Sequence, residues 1–146
     1  KLLSSSPDRT QEIGAQTGKS LQGNEIIFLC GDLGVGKTLF SKGVAQAIGI
    51  NPGEVVSPSF TLMNRFQGRY TLFHIDLYRL GEQTNNHLPE IDDYLGDGVI
   101  IIEWAQFLNP VYFGLDFSIS VDFFLLDTDN RKLKIKGPDY LNFNDF

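Results

Sequence analysis

Hydrophobic and polar positions along this chain change period several times, and each change marks an element. Ile26-Ile27-Phe28-Leu29-Cys30 and Val99-Ile100-Ile101-Ile102 are unbroken apolar runs of strand length, the pattern of strands buried on both faces of a sheet. In residues 39–48 the apolar positions recur at helical spacing instead, with Phe40, Val44, Ala47 and Ile48 on one face and Gly49 as a stop. Ser6-Pro7-Asp8 opens an earlier helical stretch carrying Thr10, Ile13, Gly14, Thr17 and Leu21, with Pro7 at its first position and an acid near its positive end. Residues 62–66 and 70–76 flank Gln67-Gly68-Arg69, which predicts an antiparallel hairpin. Val55-Val56 reads as a short strand after the break at Asn51-Pro52-Gly53, and residues 82–94 as a loop with a short helix over 90–95. Alternating segments at 115–126 and 131–136 add two strands around the turn-like Asp127-Thr128-Asp129-Asn130. The order of elements predicts an α/β fold: a mostly parallel central sheet flanked by helices, plus an antiparallel hairpin. With 146 residues and no repeat or linker, a single domain over 1–146 is expected.

Charge and cysteine content narrow the picture. A net charge of −6 argues against autonomous binding to a nucleic-acid backbone, which shows as a basic patch or stripe. Cys30, the one cysteine, excludes an internal disulfide and a cysteine-rich metal site and suits a reducing compartment. Packing at a strand end is its expected role, with a redox sensor as the alternative. No apolar run approaches the roughly 20 residues that span a bilayer, and residues 1–7 are too short for a signal peptide, so no membrane association and a cytoplasmic location are expected.

The candidate chemistry begins where the first apolar run ends. Gly31-Asp32-Leu33-Gly34-Val35-Gly36-Lys37-Thr38 follows Cys30 directly and precedes the helical pattern, which is a Walker A phosphate loop in strand–loop–helix context. The glycines let the backbone bring its N–H groups to an anion, and the helix N-terminus adds its positive dipole end. On this reading Asp32, Leu33, Gly34, Val35, Gly36, Lys37, Thr38 and Leu39 surround the phosphates, Lys37 neutralises β/γ oxygens, and the Thr38 hydroxyl ligates Mg²⁺. A ligand-free glycine turn is the plain alternative.

A phosphate loop also needs an acid for the metal or its water shell, at the end of a buried strand close by. Asp76 ends Leu72-Phe73-His74-Ile75, and Glu103 ends the second apolar run. A carboxylate leaving four aliphatic residues is costly to desolvate unless paired or metal-bound. Asp76 has a second reading as a cap or a partner of Arg79. His74 shares a strand face with Asp76, as a proton handler or a hydrogen-bonded structural residue. Arg79 reads as a stabiliser of γ-phosphate charge or a surface ion pair. Ser57, Ser59 and Thr61 place three hydroxyls on a Pro58-stiffened loop where nucleotide switches carry a γ-phosphate sensor. Lys132, Lys134 and Lys136 line one face of a strand, as a solvated edge or an RNA contact.

In order, the phosphate loop, Ser57-Pro58-Ser59-Phe60-Thr61-Leu62, His74-Ile75-Asp76-Leu77-Tyr78-Arg79-Leu80 and Ile102-Glu103-Trp104 resemble the TsaE (YjeE) family over residues 10–104. The resemblance implies a single-domain P-loop NTPase: a small bacterial ATPase required for the threonylcarbamoyladenosine modification of tRNA at position 37, with ATP and Mg²⁺ as cofactors. It implies two partners, a threonylcarbamoyl-transferring subunit and its inactive paralogue, which ATP hydrolysis resets between rounds, and contact with tRNA only through that complex. By family pattern Lys37, Asp76 and Glu103 are catalytic, and Thr38, Glu103 and Asp76 surround the metal and the attacking water. Ser57 to Thr61 matches the family's switch-like loop, and Trp104 its tryptophan beside the catalytic acid. Ser59 stands where the family usually has Thr, keeping the hydroxyl. Gln83-Thr84-Asn85-Asn86-His87 replaces an acidic, helix-favouring segment. A small-molecule kinase and a non-hydrolytic nucleotide-gated adaptor are the rival functions. The chain has no Asn-Lys-x-Asp element for guanine, which favours ATP over GTP.

Overall fold

The computed structural model describes residues 2–32, 34–56, 63–81, 91–108 and 113–143. Seven strands, β1 (Leu2–Ser4), β2 (Ile26–Cys30), β3 (Met63–Gln67), β4 (Thr71–Asp76), β5 (Val99–Glu103), β6 (Ser118–Leu125) and β7 (Arg131–Lys136), form one sheet. Their spatial order is β1-β7-β6-β2-β5-β4-β3. Helices α1 (Pro7–Lys19) and α2 (Lys37–Ala47) cover one face, and the short α3 (Ile91–Tyr94) lies against the other.

The α/β fold predicted from the pattern is present, with a mixed rather than mostly parallel sheet. The central strands β6, β2, β5 and β4 are mutually parallel. β3 joins β4 antiparallel at one end, and β7 and β1 continue antiparallel beyond β6 at the other. The short β3–β4 and β6–β7 links allow nothing else, since a parallel return needs a crossover of a dozen or more residues.

β2 and β5 are apolar throughout because both of their faces are covered. Ile27, Leu29, Val99 and Ile101 pack with Ile13, Phe40, Val44 and Ile48 under α1 and α2, while Ile26, Phe28, Ile100 and Ile102 pack with Ile91, Leu77 and Leu108. Each such side chain contributes about 1.5–3 kcal/mol by leaving water. In α1, the Ser6 hydroxyl accepts the Arg9 N–H ahead of Pro7, and Ile13 and Thr17 turn inward. The predicted α2 face holds, except that Ala47 is half-buried and Ser41 and Ala45 are buried instead.

Three expectations change. Val55-Val56 is not a strand: a 3-10 turn at Pro52–Glu54, closed by the Asn51 side chain accepting Gly53 N–H, is followed by buried Val55 and exposed Val56. The Lys132/Lys134/Lys136 strand is a sheet edge only in part, because residues 2–4, assigned no element from the pattern, pair as β1 with residues 131–133 and so cover Lys132 but not Lys134 or Lys136. The redox reading of Cys30 loses its chemistry: burial, with the Asp122 carboxylate beside it, pushes the thiol up to about 12, so no thiolate forms near neutrality. The chain after β7 is a strap. Tyr140 donates to Glu25, which also accepts the N–H groups of Gln22, Gly23 and Asn24, and Leu141 and Phe143 pack on the α1–α2 side core.

α1 and α2 touch through backbone. A Cβ on Gly14 would lie 2.2 Å from the Phe40 carbonyl oxygen, and one on Gly43 would lie 2.0 Å from that of Gln11. Gly43→Ala is therefore expected to destabilise the fold by about 2–3 kcal/mol despite alanine's better helix propensity, measurable by urea unfolding.

Candidate functional site: a phosphate loop and two strand-end carboxylates

The glycine-rich segment joins the end of β2 to the start of α2, as predicted. Gly34 has φ +80°, and a Cβ there would meet nothing within 4 Å among the described residues. Gly36 caps α2 at φ 106° and, as a glycine, brings no side-chain oxygen to the first-turn amides. A residue with a competing oxygen there would occupy N–H groups that an anion needs.

Lys37 opens α2 and is 5 % exposed. Its Nζ donates to the carbonyls of Gly31 (2.5 Å) and Asp32 (2.8 Å) and sits 3.9 Å from the centre of the Trp104 ring. Burial lowers its pKa, opposed by the carboxylates of Glu103, Asp76 and Asp32. Gly31 is gripped a second time. Gln106, in the 3-10 turn Ala105–Phe107, accepts the Gly31 N–H at 3.3 Å and donates to its carbonyl at 3.0 Å.

Strand parity brings the acids to this loop. Val99 and Ile101 face α1 and α2, so Glu103, two residues on, emerges on the same side above the start of α2. Glu103 is 2 % exposed, and Thr38 donates its hydroxyl to Glu103 Oε1 at 3.0 Å. The Ser41 hydroxyl, one turn later, lies 3.3 Å from Oε2 and 3.0 Å from the Lys37 carbonyl. His74 Nε2 meets Glu103 Oε2 at 2.5 Å, and its buried Nδ1 has no partner among the described residues. His74 is thus a hydrogen-bonded part of the acid's surroundings.

Asp76 is paired in register with Glu103 across β4 and β5, one strand further from the loop. Its Oδ1 accepts the Tyr78 N–H at 2.9 Å. Burial, helped by the Glu103 charge, holds its carboxyl above the ordinary value of 3.8 against that hydrogen bond and the charges of His74 and Lys37. The two candidate acids are therefore not equivalent: Glu103 touches Thr38, whereas Asp76 stands beside Glu103.

Trp104 follows with φ 60°, a left-handed backbone unusual for a bulky residue. Its ring lies 4.8 Å from that of Tyr78 and 5.8 Å from that of Phe107. Arg79 is exposed on the turn after β4. Leu33, Ser57, Ser59 and Thr61 lie outside the described residues; Asp32 is exposed, Val35 buried and Leu39 half-buried. Ser41 and Gln106 were missed by the sequence reading. Ser41 was findable, three residues from Thr38 on one helix, whereas nothing in the pattern marks Gln106.

Oxygens of Thr38, Glu103 and Asp76 suit a hard divalent cation, and a glycine-capped helix start beside Gly34 suits phosphate. Among the described residues no group of three or more His, Cys, Asp or Glu side chains could hold a metal ion. No described helix is long and apolar enough to cross a membrane.

A loop of this geometry between a buried parallel strand and a helix, with Lys37 and Thr38 at the helix start, defines the P-loop class of nucleotide-binding folds. The model of the TsaE family, described as a threonylcarbamoyl adenosine biosynthesis protein, matches residues 4–133, well beyond the motifs themselves. The chain is 33% identical over 139 residues to the tRNA threonylcarbamoyladenosine biosynthesis protein TsaE of Aquifex aeolicus, covering 92% of this chain and 94% of that one. It is 31% identical over 136 residues to its namesake in Treponema pallidum, covering 92% and 98%. The crystal structure of YdiB from Bacillus subtilis superposes with a TM-score of 0.70 at 27% identity, covering 90% of this chain and 80% of that one. The chain belongs to the TsaE family, whose members take part in tRNA threonylcarbamoyladenosine biosynthesis.

Because the fold raises the Asp76 pKa, the folded state holds that proton more tightly than the unfolded chain, and stability falls as pH rises from 3.8 through the raised value. Asp76→Asn is expected to raise the melting temperature at neutral pH, with the gain vanishing below pH 3.8. Thermal unfolding at the two pH values checks this.

Proposed function

We propose that this chain binds ATP with Mg²⁺ and hydrolyses it, weakly alone and productively within a tRNA-modifying assembly. The partners are a threonylcarbamoyl-transferring subunit and its inactive paralogue. One observation carries the catalytic reading: the buried Glu103 carboxylate lies 3.0 Å from the Thr38 hydroxyl at the mouth of the phosphate loop. A metal-binding hydroxyl and a strand-end acid in direct contact are what a P-loop hydrolase requires.

The loop amides and the α2 N-terminus hold phosphate oxygens, and Gln106 steadies the Gly31 peptide where the loop begins. Lys37, resting on two loop carbonyls, has the reach to neutralise β/γ oxygens. Thr38 and Glu103 would hold Mg²⁺, with Asp76 supporting its water shell. When bound, the ion neutralises charge on the β and γ oxygens and orients the phosphates. Glu103 orients the attacking water, while His74 and Ser41 fix the carboxylate's rotamer. In-line attack then needs no covalent protein intermediate, and positioning and charge stabilisation supply the acceleration. The net charge of −6 supports reaching tRNA through partners rather than directly.

Single-turnover ATP cleavage by the reconstituted assembly tests this. Glu103→Gln is expected to slow cleavage by about 100-fold or more while nucleotide still binds. Equal rates would remove Glu103 from the mechanism. Phosphate release without any acceptor separates hydrolysis from kinase chemistry, and a pulldown with and without ATP is expected to recover both partner subunits.

A further inference from the structure

A lysine ammonium is a point charge on a flexible four-carbon stem, so its acceptors set where it stands. Lys37 Nζ donates to the carbonyls of Gly31 at 2.5 Å and Asp32 at 2.8 Å, with the centre of the Trp104 ring 3.9 Å away. Asp32 is exposed, whereas Gly31 is half-buried and takes the shorter bond. The direction of the Gly31 carbonyl thus governs the place of the charge.

The sheet does not fix that direction. The β2–β5 register ends at Leu29 opposite Glu103, and the β2–β6 register ends at Cys30 opposite Asp122, so Gly31 lies one residue past both ladders. Without a side chain, its peptide turns about two soft dihedrals. The Gln106 carboxamide supplies what a strand neighbour would: Oε1 accepts the Gly31 N–H at 3.3 Å, and Nε2 donates to the Gly31 carbonyl at 3.0 Å. A carbonyl oxygen has two lone pairs, and that of Gly31 accepts Gln106 Nε2 and Lys37 Nζ together.

Gln106 stands on an anchored turn. Ala105 and Leu108 on either side of it are buried, and the N–H groups of Phe107 and Leu108 return to the carbonyls of Trp104 and Ala105. The Trp104 and Phe107 rings stack with an interplanar angle of 9°. Gln106 itself is exposed, so nothing in the core depends on its side chain.

We propose that Gln106 is a positioning residue for Lys37: its amide aims the Gly31 carbonyl, and that carbonyl holds the ammonium where β and γ oxygens arrive. This assignment rests on the ATP-binding reading above and deepens it, since the charge is placed by a residue outside both the glycine motif and the strand-end acids. Loss of Gln106 then matters only while Lys37 is there to be misplaced.

A double-mutant cycle on the full chain tests this with two readouts. Trp104 is the one tryptophan of the chain, so its emission reports the ammonium beside its ring without any ligand. Calorimetric binding of ATP with Mg²⁺ is the second. Gln106→Met keeps the length of the side chain and removes both polar atoms. It is expected to move the emission of the empty protein toward that of Lys37→Met and to weaken ATP binding about five- to tenfold, the worth of one hydrogen bond. In the Lys37→Met background the same change is expected to leave the emission in place and the affinity within about twofold. Unchanged emission in Gln106→Met overturns the proposal, because the ammonium then keeps its place without the amide. An equal emission shift or an equal loss of affinity in both backgrounds overturns it as well, because Gln106 then acts on the loop or the nucleotide and not through Lys37. If the emission moves as expected and wild type binds no ATP, the positioning of Lys37 stands and the ATP-binding reading falls.

Discussion

The hydrogen bond from Thr38 to Glu103 joins the two halves of this molecule's chemistry, and much of the surrounding structure exists to make it possible. A carboxylate at 2 % exposure cannot remain unpaired without a large desolvation cost. Thr38, Ser41 and His74 meet that demand from two different elements. Each of them is placed by burial elsewhere. The packing of Phe40 and Val44 sets the rotation of α2, and the parallel register of β4 on β5 sets His74 against Glu103. The glycine contacts between α1 and α2 bear on the site for the same reason, since a displaced α2 would move both hydroxyls.

Around that bond the charges are graded. Lys37 is held by backbone carbonyls and an aromatic face, with no ion pair to Glu103 or Asp76 among the described contacts. Asp76 is partly desolvated next to another carboxylate, an arrangement that costs stability in the folded protein and that a divalent cation would relieve. Stability given up at a site in this manner is common where function needs concentrated charge. The segment 103–107 gathers several of these roles into one turn: acid at Glu103, lysine rest at Trp104 and loop clasp at Gln106. The left-handed backbone at Trp104 is where the chain turns to do so.

The family assignment and the geometry support each other from independent directions. Matching residues run from 4 to 133, and so include β6 and most of the β6–β7 hairpin, segments with no recognisable motif. Those strands extend the parallel core on the side opposite the acids.

By itself the sequence determined the elements whose signals are local. Five consecutive apolar residues, a glycine pattern, a Ser-Pro-Asp start and a two-period alternation each fix a strand, a loop, a cap or a hairpin through short-range sterics and burial, and β2, α1, α2, β5 and the β3–β4 hairpin follow from them. The same locality singles out Lys37 and Thr38 through the glycine motif, and Asp76 and Glu103 as acids ending apolar strands, as candidates without a fold. Tertiary structure alone decided what depends on neighbours distant in sequence. β1 is three residues long and has strand character because β7 offers it hydrogen bonds, which also covers the first half of an expected edge. Val55-Val56 has strand propensity but no partner strand among the described residues. The difference between Glu103 and Asp76 and the grip of Gln106 on Gly31 both arise from register and packing across the sheet, which no local pattern encodes.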